Sequence, residues 1–455
     1  MILPVLATKS KELHQRAKKI NKIDDRILDL ARNMIETKKA DIGIGLAGNQ
    51  VGVLRRIIVT GGENIPEMIL INPEITKKSE KEDIAEESCL SLPGIAGQVT
   101  RSSEIQLKGR RIIFNKDKPK IKEVNLKCQG LLARILQHEI DHLDGILFSE
   151  RISDIKTIKK IPEPYKIVFF GTPLFSVPIL EALIKNKWGV SVVITEKDKP
   201  VGRKQILTPP PVKHLAQKYN LLIYQPGSLS SILNSLKNLK PDVIILAAYG
   251  KILPKEILRI PEFGALCIHP SLLPKYRGAS PIQTAILNGD AKTGVTIFKM
   301  DEEVDHGKII QKLNLKIQND DTAETLSQKL ATESATLLLK TLPDYLNGKI
   351  RPKKQNEKRT TYTKLIKKED GYVNKSKIQN PKSKKELRKL ERKIRAYYPW
   401  PKVWTEINGK RIIIHKAHIN FSNLKSLSLV LDIVQPEGKK PMKYEDYLKG
   451  NREII

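Results

Sequence analysis

The pattern of apolar and polar residues changes twice along the chain. The first change is the charged stretch DIKTIKKIPEPYK, where two prolines interrupt the apolar pattern. After it, short buried strands such as KIVFFG and PDVIILAA alternate with helical stretches such as VPILEALIKN, which predicts a parallel sheet. From about residue 345 the chain becomes polar and basic, and VWTEINGKRIIIHKAHI then predicts a hairpin that turns at Asn408-Gly409. We therefore expect three structural units, the last of them a small β domain.

The length and composition are those of a multidomain protein in a reducing compartment. At 455 residues the chain is too long for one ordinary domain. It has no apolar stretch of about 20 residues and no signal-like run at its N-terminus, so we expect a cytoplasmic protein with no membrane partner. Cys89, Cys128 and Cys267 lie far apart in the sequence, and such a compartment gives no reason to pair them.

The charge is strongly positive and partly concentrated. The formal net charge is +31, and residues 351–395 hold 18 Lys or Arg against five Asp or Glu. A surface of this kind attracts polyanions such as nucleic acid. On charge alone, a solvated basic surface explains it equally well.

The segment LLARILQHEIDHLDGILF carries two histidines four residues apart. A helix turns once per 3.6 residues, so His138 and His142 share a face and Glu139 lies beside the first, which suits a divalent metal and a base. A metzincin would have its third histidine where this chain has Phe148, so the third ligand must lie elsewhere. Upstream, EESCLSLPG offers Cys89, and a thiolate is a ready ligand for zinc or ferrous iron. One Cys and two His leave a coordination position open, as catalytic sites do.

A glycine-rich run, GIGLAGNQVG, presents the side-chain amide of Gln50. Glycine lets the backbone approach a ligand closely, and an amide N–H can hydrogen-bond the oxyanion of a tetrahedral intermediate. Together the three segments resemble the peptide deformylase family over about residues 1–153, which implies removal of the formyl group from the N-terminal methionine of new proteins.

The resemblance also implies a role for each residue of the predicted site. Cys89, His138 and His142 would hold the metal, Glu139 would move the proton, and Gln50 with the backbone N–H of Leu90 would bind the oxyanion. The implied metal is ferrous iron, with zinc as the alternative.

A second candidate site lies in LCIHPSLLPKYRGASPIQTAILNGD and the following GVTIFKMDEEVDHGKII. A strand ends at His269, and Asp305 arrives from a later turn. A histidine oriented by a carboxylate can transfer protons, although a satisfied core histidine is the simpler interpretation of the bare sequence.

These segments resemble the formyltransferases that use 10-formyltetrahydrofolate, most closely those that act on methionyl-tRNA. The similarity spans about residues 166–440 and is carried by FFGTPLFSVP, KPVGRKQILTPPPVKHLA, PDVIILAAYGKILP, HPSLLPKYRGASPIQ and IRAYYPWPKVWT. It implies that His269 and Asp305 are catalytic and that a loop contacts the folate through Ser271, Leu272, Leu273 and Pro274. It also implies that the loop 196–211 enters the acceptor end of the tRNA. The candidate tRNA contacts are Arg203 and Lys204 in that loop, with Lys384, Lys385, Arg388 and Lys389 in the basic segment.

The chain departs from this family at the third catalytic position, where the family has an asparagine and this chain has Cys267. A thiol is a weak hydrogen-bond donor, and losing one oxyanion donor can cost a factor of about 10²–10³ in rate. Three interpretations remain: Cys267 is a tolerated weak donor, a neighbouring group has replaced the asparagine, or transfer has become slow.

We therefore expect a multidomain architecture. It comprises an α+β deformylase domain at 1–154, a linker at 155–164, an α/β Rossmann-like formyltransferase domain at 165–350, and a small basic C-terminal β-barrel (OB-like) domain at 351–455. The charged, proline-interrupted linker suggests little shared core between the halves.

The implied partners are initiator Met-tRNA and nascent formylated polypeptides, and with them the ribosome. Two alternatives stay open for the second half. In the first, it is a catalytically silent module that binds tRNA or the ribosome. In the second, it is a formyltransferase that acts on a different substrate.

Overall fold

The structure is a computed structural model that describes residues 1–115, 118–152, 154–160, 165–202, 204–381, 383–420, 428–449 and 455. Its first part contains two helices and eight strands among these residues. They are α1 (Asp25–Ala40), β1 (Gly45–Ala47), β2 (Ile57–Gly62), β3 (Ile65–Lys78), β4 (Glu82–Cys89), β5 (Leu92–Ser102), β6 (Glu104–Ile113), β7 (Lys120–Gln129), α2 (Gly130–Leu143) and β8 (Lys159–Lys160).

Two antiparallel sheets build the first part. One has the strand order β1-β2-β3-β6-β7, and the other has the order β4-β5-β8. Helix α2 packs residues at helical spacing, such as Leu136, Ile140 and Leu143, into the apolar cluster on the larger sheet. Its remaining face carries the two predicted histidines. Strand β8 falls inside the range expected to be linker and pairs with β5 through Lys160 and Ile95.

The second part contains ten strands and six helices in the described residues. They are β9 (Ile167–Gly171), α3 (Val177–Lys185), β10 (Val190–Ile194), β11 (Lys199–Val201), β12 (Ile206–Thr208), α4 (Pro211–Lys218), β13 (Leu222–Tyr224), α5 (Leu233–Leu239), β14 (Val243–Ala247), α6 (Lys255–Leu258), β15 (Ala265–His269), β16 (Arg277–Gly278), α7 (Pro281–Asn288), β17 (Lys292–Lys299), β18 (Lys308–Lys316) and α8 (Ala323–Leu346).

The central sheet of this part has the strand order β13-β10-β9-β14-β15-β17-β18. Its first five strands run parallel to one another, which confirms the prediction. Strands β17 and β18 each pair antiparallel with the strand before them in this order. Strands β9, β10, β14 and β15 are buried on both faces, as expected where helices cover a parallel sheet. Ligands of open sheets of this kind bind beyond the carboxyl ends of the strands, and His269 lies at such an end, that of β15.

The third part is small and mostly β. Its elements are β19 (Tyr362–Thr363), α9 (Lys375–Gln379), α10 (Lys384–Ala396), β20 (Val403–Ile407), β21 (Lys410–Asn420), β22 (Ser428–Pro436), β23 (Met442–Lys443) and α11 (Tyr444–Lys449). The last four strands form one antiparallel sheet in sequence order. The predicted hairpin is confirmed, because Asn408 and Gly409 link β20 to β21 with φ of 51° and 73°. A two-residue turn with both φ angles positive matches the twist of a hairpin.

The expectation of little shared core between the first and second parts is wrong. Ile2 and Ala40 are fully buried in an apolar cluster that otherwise belongs to one face of the second part's sheet. Polar contacts add to this packing: Lys166 Nζ lies 2.5 Å from Asp41 Oδ1, and the Tyr224 hydroxyl donates to Glu36 at 2.9 Å. The composition of the connecting segment carries no information about packing between residues far from it. Among the described residues, no helix has the length and apolar character needed to cross a bilayer.

Candidate active sites

Three predicted ligands converge between the end of β4 and helix α2. The Sγ of Cys89 and one ring nitrogen each of His138 and His142 all lie within 4.8 Å of one another. Cys89 Sγ is 3.2 Å from His142 Nε2. Because the two histidines are one helical turn apart, α2 presents both of them to the thiol at the end of the strand.

Glu87, which was not singled out from the sequence, holds one of these histidines in position. Its carboxylate accepts a hydrogen bond from His138 Nδ1 at 2.9 Å, and further bonds from Arg101 at 3.0 Å and Arg134 at 2.8 Å. Burial alone would raise the pKa of Glu87, but the bonds from His138 and Arg101 prevail and lower it to about 2. The only signal in the sequence was an acidic residue two positions before Cys89.

Charged pairs tie α2 to the strands around this site. Arg101 on β5 bonds both Glu87 and Asp141, and its side chain is 6% exposed. Arg151 also binds Asp141, at 2.9 Å. Buried charges that are paired and hydrogen-bonded on several sides fix the orientation of their neighbours.

Glu139 lies beside the three candidate ligands and has one carboxylate oxygen to spare. Burial raises its pKa to about 7, and its buried Oε2 has no hydrogen-bond partner among the described residues. The backbone of Gly45 makes room for it, because a β-carbon there would lie 2.1 Å from Glu139 Oε1. Glycine is therefore required at position 45 for the close approach of the Glu139 side chain. The glycine-rich run thus does more than form a turn.

The predicted oxyanion donors lie next to the same thiol. Gln50 is buried, its Oε1 accepts the N–H of Ala47 at 2.8 Å, and its Nε2 lies 3.5 Å from Cys89 Sγ. Because the side-chain oxygen of Gln50 is bound to the backbone, its amide N–H is directed towards the site. Leu90 directly follows the cysteine and is partly buried.

These residues suit a divalent metal ion. A thiolate and two imidazoles are the donor set of an open zinc or ferrous-iron site, and the unpartnered Oε2 of Glu139 is placed to meet a further polar group. The fixed His138 Nδ1–Glu87 contact is the carboxylate–histidine arrangement that orients metal-binding imidazoles.

The site opens into a cavity of about 570 Å³. Most of its wall comes from the first part, including the segments 41–45 and 86–95. The second part contributes Lys166, Asn238, Leu239 and Lys240. No sequence pattern indicated this contribution.

In the second part, His269 and Asp305 come together as predicted. His269 Nδ1 lies 3.5 Å from Asp305 Oδ2, and its other ring nitrogen bonds the carbonyl oxygen of Tyr276 at 2.9 Å. Asp305 also accepts the backbone N–H of Gly278 at 2.8 Å. The two ring nitrogens thus face different acceptors, Nε2 the carbonyl oxygen and Nδ1 the carboxylate.

A buried arginine, missed by the sequence reasoning, supports the Asp305 turn. Arg277 is 1% exposed and binds both Gln355 and Glu357, the latter at 2.7 Å. The Gln355 amide in turn donates to the carbonyl oxygen of Asp305 at 2.8 Å. Asp305 itself has φ +50°, a conformation that its surroundings must stabilise.

Cys267 lies two residues before His269 on β15 and therefore on the same face of the sheet. Its side chain packs in an apolar cluster with residues such as Leu246 and Phe298. Burial, and secondarily the charge of Asp305, raise the pKa of this thiol well above its ordinary value. Cys267 is thus a neutral thiol, which disfavours a nucleophilic role. In the same cluster, the buried Tyr249 hydroxyl has no partner among the described side chains.

The loop predicted to contact the folate follows directly. Ser271 Oγ donates to the carbonyl oxygen of Lys275 at 2.6 Å, and the Leu273 N–H bonds Thr296 Oγ1 at 3.1 Å. Leu272 and Pro274 are partly buried. The loop is therefore held from within, beside His269.

Five of the six predicted tRNA contacts lie in the described residues, and all five are exposed. Lys204 is exposed, and Arg203 lies outside the described residues. The other four, Lys384, Lys385, Arg388 and Lys389, are exposed on α10, whose Leu387, Leu390 and Ile394 are buried.

Family models match the chain in three places. The model described as polypeptide deformylase matches residues 2–157, that described as formyl transferase matches 165–342, and that of the formyl transferase C-terminal domain matches 382–426.

Relatives and solved structures cover the two halves separately. The methionyl-tRNA formyltransferase of Bacillus subtilis is 38% identical over 307 residues, covering 63% of this chain and 94% of that protein. That of Bacillus pumilus is 40% identical over 314 residues, covering 64% and 96%. The peptide deformylase of Thermotoga maritima is 34% identical, covering 34% of this chain and 99% of that one with a TM-score of 0.31. That of Synechococcus elongatus in complex with actinonin is also 34% identical, covering 34% and 81% with a TM-score of 0.31. The chain therefore belongs to the methionyl-tRNA formyltransferase family in its larger, C-terminal part and carries a polypeptide deformylase domain in front of it.

Proposed function

We propose that this protein is a bifunctional enzyme of formylmethionine metabolism. Its first part removes the formyl group from the N-terminal formylmethionine of new polypeptides. Its second part transfers a formyl group from 10-formyltetrahydrofolate to the amine of initiator Met-tRNA. The two reactions oppose each other formally but act on different substrates. The observation that carries the first activity is the convergence of Cys89, His138 and His142 beside Glu139.

In the first reaction, water and the formyl amide become formate and a free amine. Cys89, His138 and His142 would hold a divalent metal, which would lower the pKa of a water molecule and provide a Lewis acid for the formyl carbonyl. Glu139 takes the proton of the attacking water at its unpartnered Oε2 and gives it to the leaving amine. Gln50 Nε2 and the Leu90 N–H donate to the oxyanion. The resemblance to the deformylase family implies ferrous iron, and the same ligand atoms can also bind zinc.

Substitution of the proton carrier and of a ligand tests this assignment. Glu139→Gln should retain the metal but lose deformylation of a formyl-Met peptide by a factor of about 10² or more, because only proton transfer is removed. Cys89→Ala should lose the metal as well, since two histidines alone hold a divalent ion poorly. Metal content and turnover are measured on the same samples. Normal turnover by Glu139→Gln would contradict the role of Glu139.

In the second reaction, the methionyl amine attacks the formyl carbon, and the bond from that carbon to N10 of the folate breaks. His269 accepts the proton that the attacking amine loses, and this proton passes on to the leaving N10. Asp305, 3.5 Å from Nδ1, stabilises the charged form of His269. The loop Ser271–Pro274 contacts the folate. Support for this substrate pair comes from relatives named as methionyl-tRNA formyltransferases, of which the chain covers 94% and more. These relatives do not favour a different formyl acceptor.

The finer features of the architecture belong to the same proposal. The seven-stranded sheet is consistent with a Rossmann-like domain that ends near residue 350, and the antiparallel sheet after 403 with a small OB-like barrel. The basic face of α10 and the 196–211 loop would contact the tRNA, and the polypeptide substrate would bring the enzyme to the ribosome.

Cys267 decides between an active and a silent second half. Formyl transfer to Met-tRNA is compared between the wild type and Cys267→Asn, with Cys267→Ala as the control that removes the thiol without adding a donor. If the thiol is a weak donor, Asn raises the rate and Ala lowers it. If a neighbouring group supplies the donor, the wild type and Ala transfer alike. No transfer by any of the three proteins would support the silent binding module.

A further inference from the structure

The second part of the chain forms one wall of the cavity that leads to the candidate metal ligands. This wall consists of Lys166, just before β9, and of Asn238, Leu239 and Lys240 at the end of α5. It is held against the first part, because Asn238 donates to the carbonyl oxygen of Ile2 at 3.0 Å and Lys166 pairs with Asp41. The wall is therefore a fixed part of the cavity.

Most charged side chains that line this cavity are already paired. Asp41 binds Lys166 at 2.5 Å, and Glu86 binds Lys159 at 2.5 Å. Glu87 binds Arg101, Arg134 and His138. Among the described charged residues of the cavity, Glu139 and Lys240 make no ion pair. Glu139 belongs to the chemistry, so Lys240 is the remaining charge that can act on a bound substrate.

Lys240 lies at the edge shared by this cavity and a second one. It also lines a neighbouring shallow cavity of about 430 Å³, together with Lys237, Glu256, Arg259 and Ile260. This neighbour carries three cations against one anion. A polypeptide whose formylated end lies at Cys89 must lead its later residues along the wall of the cavity, and that wall includes Lys240.

The backbone holds Lys240 in a defined place. It caps α5 with φ +50° and ψ 62°, and its N–H bonds the carbonyl oxygen of Leu236 at 3.1 Å. A lysine fixed in this left-handed conformation projects its ammonium group from a rigid base, although the side chain itself is exposed. The fold of the second part thus sets the position of this charge at the wall of the first part's cavity.

We propose that Lys240 is a specificity-determining residue for deformylation, and that it favours polypeptides with an acidic side chain shortly after the formylmethionine. The inference rests on the proposed deformylation and deepens it. The formyltransferase part then serves both reactions, since it supplies part of the binding wall for the deformylase substrate.

The test uses the full-length, metal-loaded protein and formyl-Met peptides that carry Asp, Ala or Lys at the second, third or fourth position. The measured quantity is the ratio of kcat/KM for the Asp peptide to that for the Lys peptide at each position. This ratio is insensitive to the fraction of each variant that is folded. We expect a ratio of about two to five at the position that reaches Lys240, since an exposed ion pair is worth only about 0.2–1 kcal/mol. The preference should reside in KM and weaken at high salt.

Three variants complete the test. Lys240→Glu should invert the ratio, and Lys240→Gly, which favours the same φ, should bring it close to one. Lys187→Glu is the matched control, because Lys187 is exposed, has φ +57° and lines neither cavity, so the ratio should stay at the wild-type value. A wild-type ratio of one at every position, or an unchanged ratio in Lys240→Glu, would overturn the role of Lys240. Absence of deformylation for every peptide would overturn the proposed function as well.

Discussion

Two residues outside the predicted set shape the first site. Glu87 receives hydrogen bonds from His138, Arg101 and Arg134, and Gly45 leaves the space that Glu139 occupies. Both residues also line the cavity. Their effect on the reaction passes through His138 and Glu139, which they help to position.

Replacing Glu87 by Gln should weaken metal binding by a factor of about 10–100, the usual effect of losing a carboxylate that orients a histidine ligand. The affinity is measured by competition with a chelator. Glu86→Gln is the matched control, because the neighbouring Glu86 is exposed and pairs with Lys159 instead. Equal affinities of the Glu87 variant and the wild type would show that His138 does not depend on this carboxylate.

The same variant has a predicted acid dependence. The folded-state pKa of Glu87 is lowered from about 4.5 to about 2, so its charge stabilises the fold above pH 4.5. That stabilisation is lost as the pH falls through this window. The difference in thermal midpoint between metal-free wild type and Glu87→Gln should therefore shrink from pH 5 downwards. A difference that grows on acidification would reverse the assigned sign.

At the level of elements, the sequence predicted what depends on local spacing. The histidine pair on α2 follows from helical periodicity, and the turn at Asn408-Gly409 follows from residue types that tolerate positive φ. The position of Cys89 beside α2 depends on how two sheets enclose a helix. The residue types made Cys89 a candidate ligand, and the family resemblance added its place in the site. Helix α10 likewise has buried residues that recur at helical spacing.

Helix α10 offers a test of tRNA binding. Reversing Lys384, Lys385, Arg388 and Lys389 to Glu should weaken Met-tRNA binding and reduce the slope of log affinity against log salt, because each phosphate contact releases counterions. Deformylation of a short formyl-peptide should be unchanged. Binding is measured over a range of salt concentrations.

A matched control reverses four exposed lysines of the first part, Lys77, Lys78, Lys120 and Lys122. It changes the net charge equally and should leave the salt slope at its wild-type value. If both sets flatten the slope alike, total charge and not the α10 surface controls binding.

The whole molecule is more closely joined than its connecting segment suggested. Ile2 packs in the second part's core, and the second part lines the first part's cavity. No sequence pattern could reveal this, because Ile2 and Asn238 are 236 positions apart and their contact depends on tertiary packing. The domain order, in contrast, followed directly from the motifs.

A protease site inserted at 161–164 tests this association. After cleavage the two fragments should remain together in size-exclusion chromatography at micromolar concentration, since apolar burial and polar contacts join them. Introducing Ile2→Asp should promote their separation, because it places a charge in an apolar cluster. Ile84→Asp is a suitable control, as Ile84 is already 62% exposed. Separation of the unmodified cleaved fragments would contradict a shared core.

The most direct measurement for the whole account is a crossed assay on one purified, metal-loaded chain. Deformylation of a formyl-Met peptide and formyl transfer from 10-formyltetrahydrofolate to Met-tRNA are measured for the wild type, Glu139→Gln and His269→Ala. We predict that the wild type performs both reactions, that Glu139→Gln loses only deformylation, and that His269→Ala loses only transfer. A wild type that deformylates peptides but leaves Met-tRNA unformylated, or a single substitution that abolishes both reactions in a folded protein, would contradict two independent active sites in one chain.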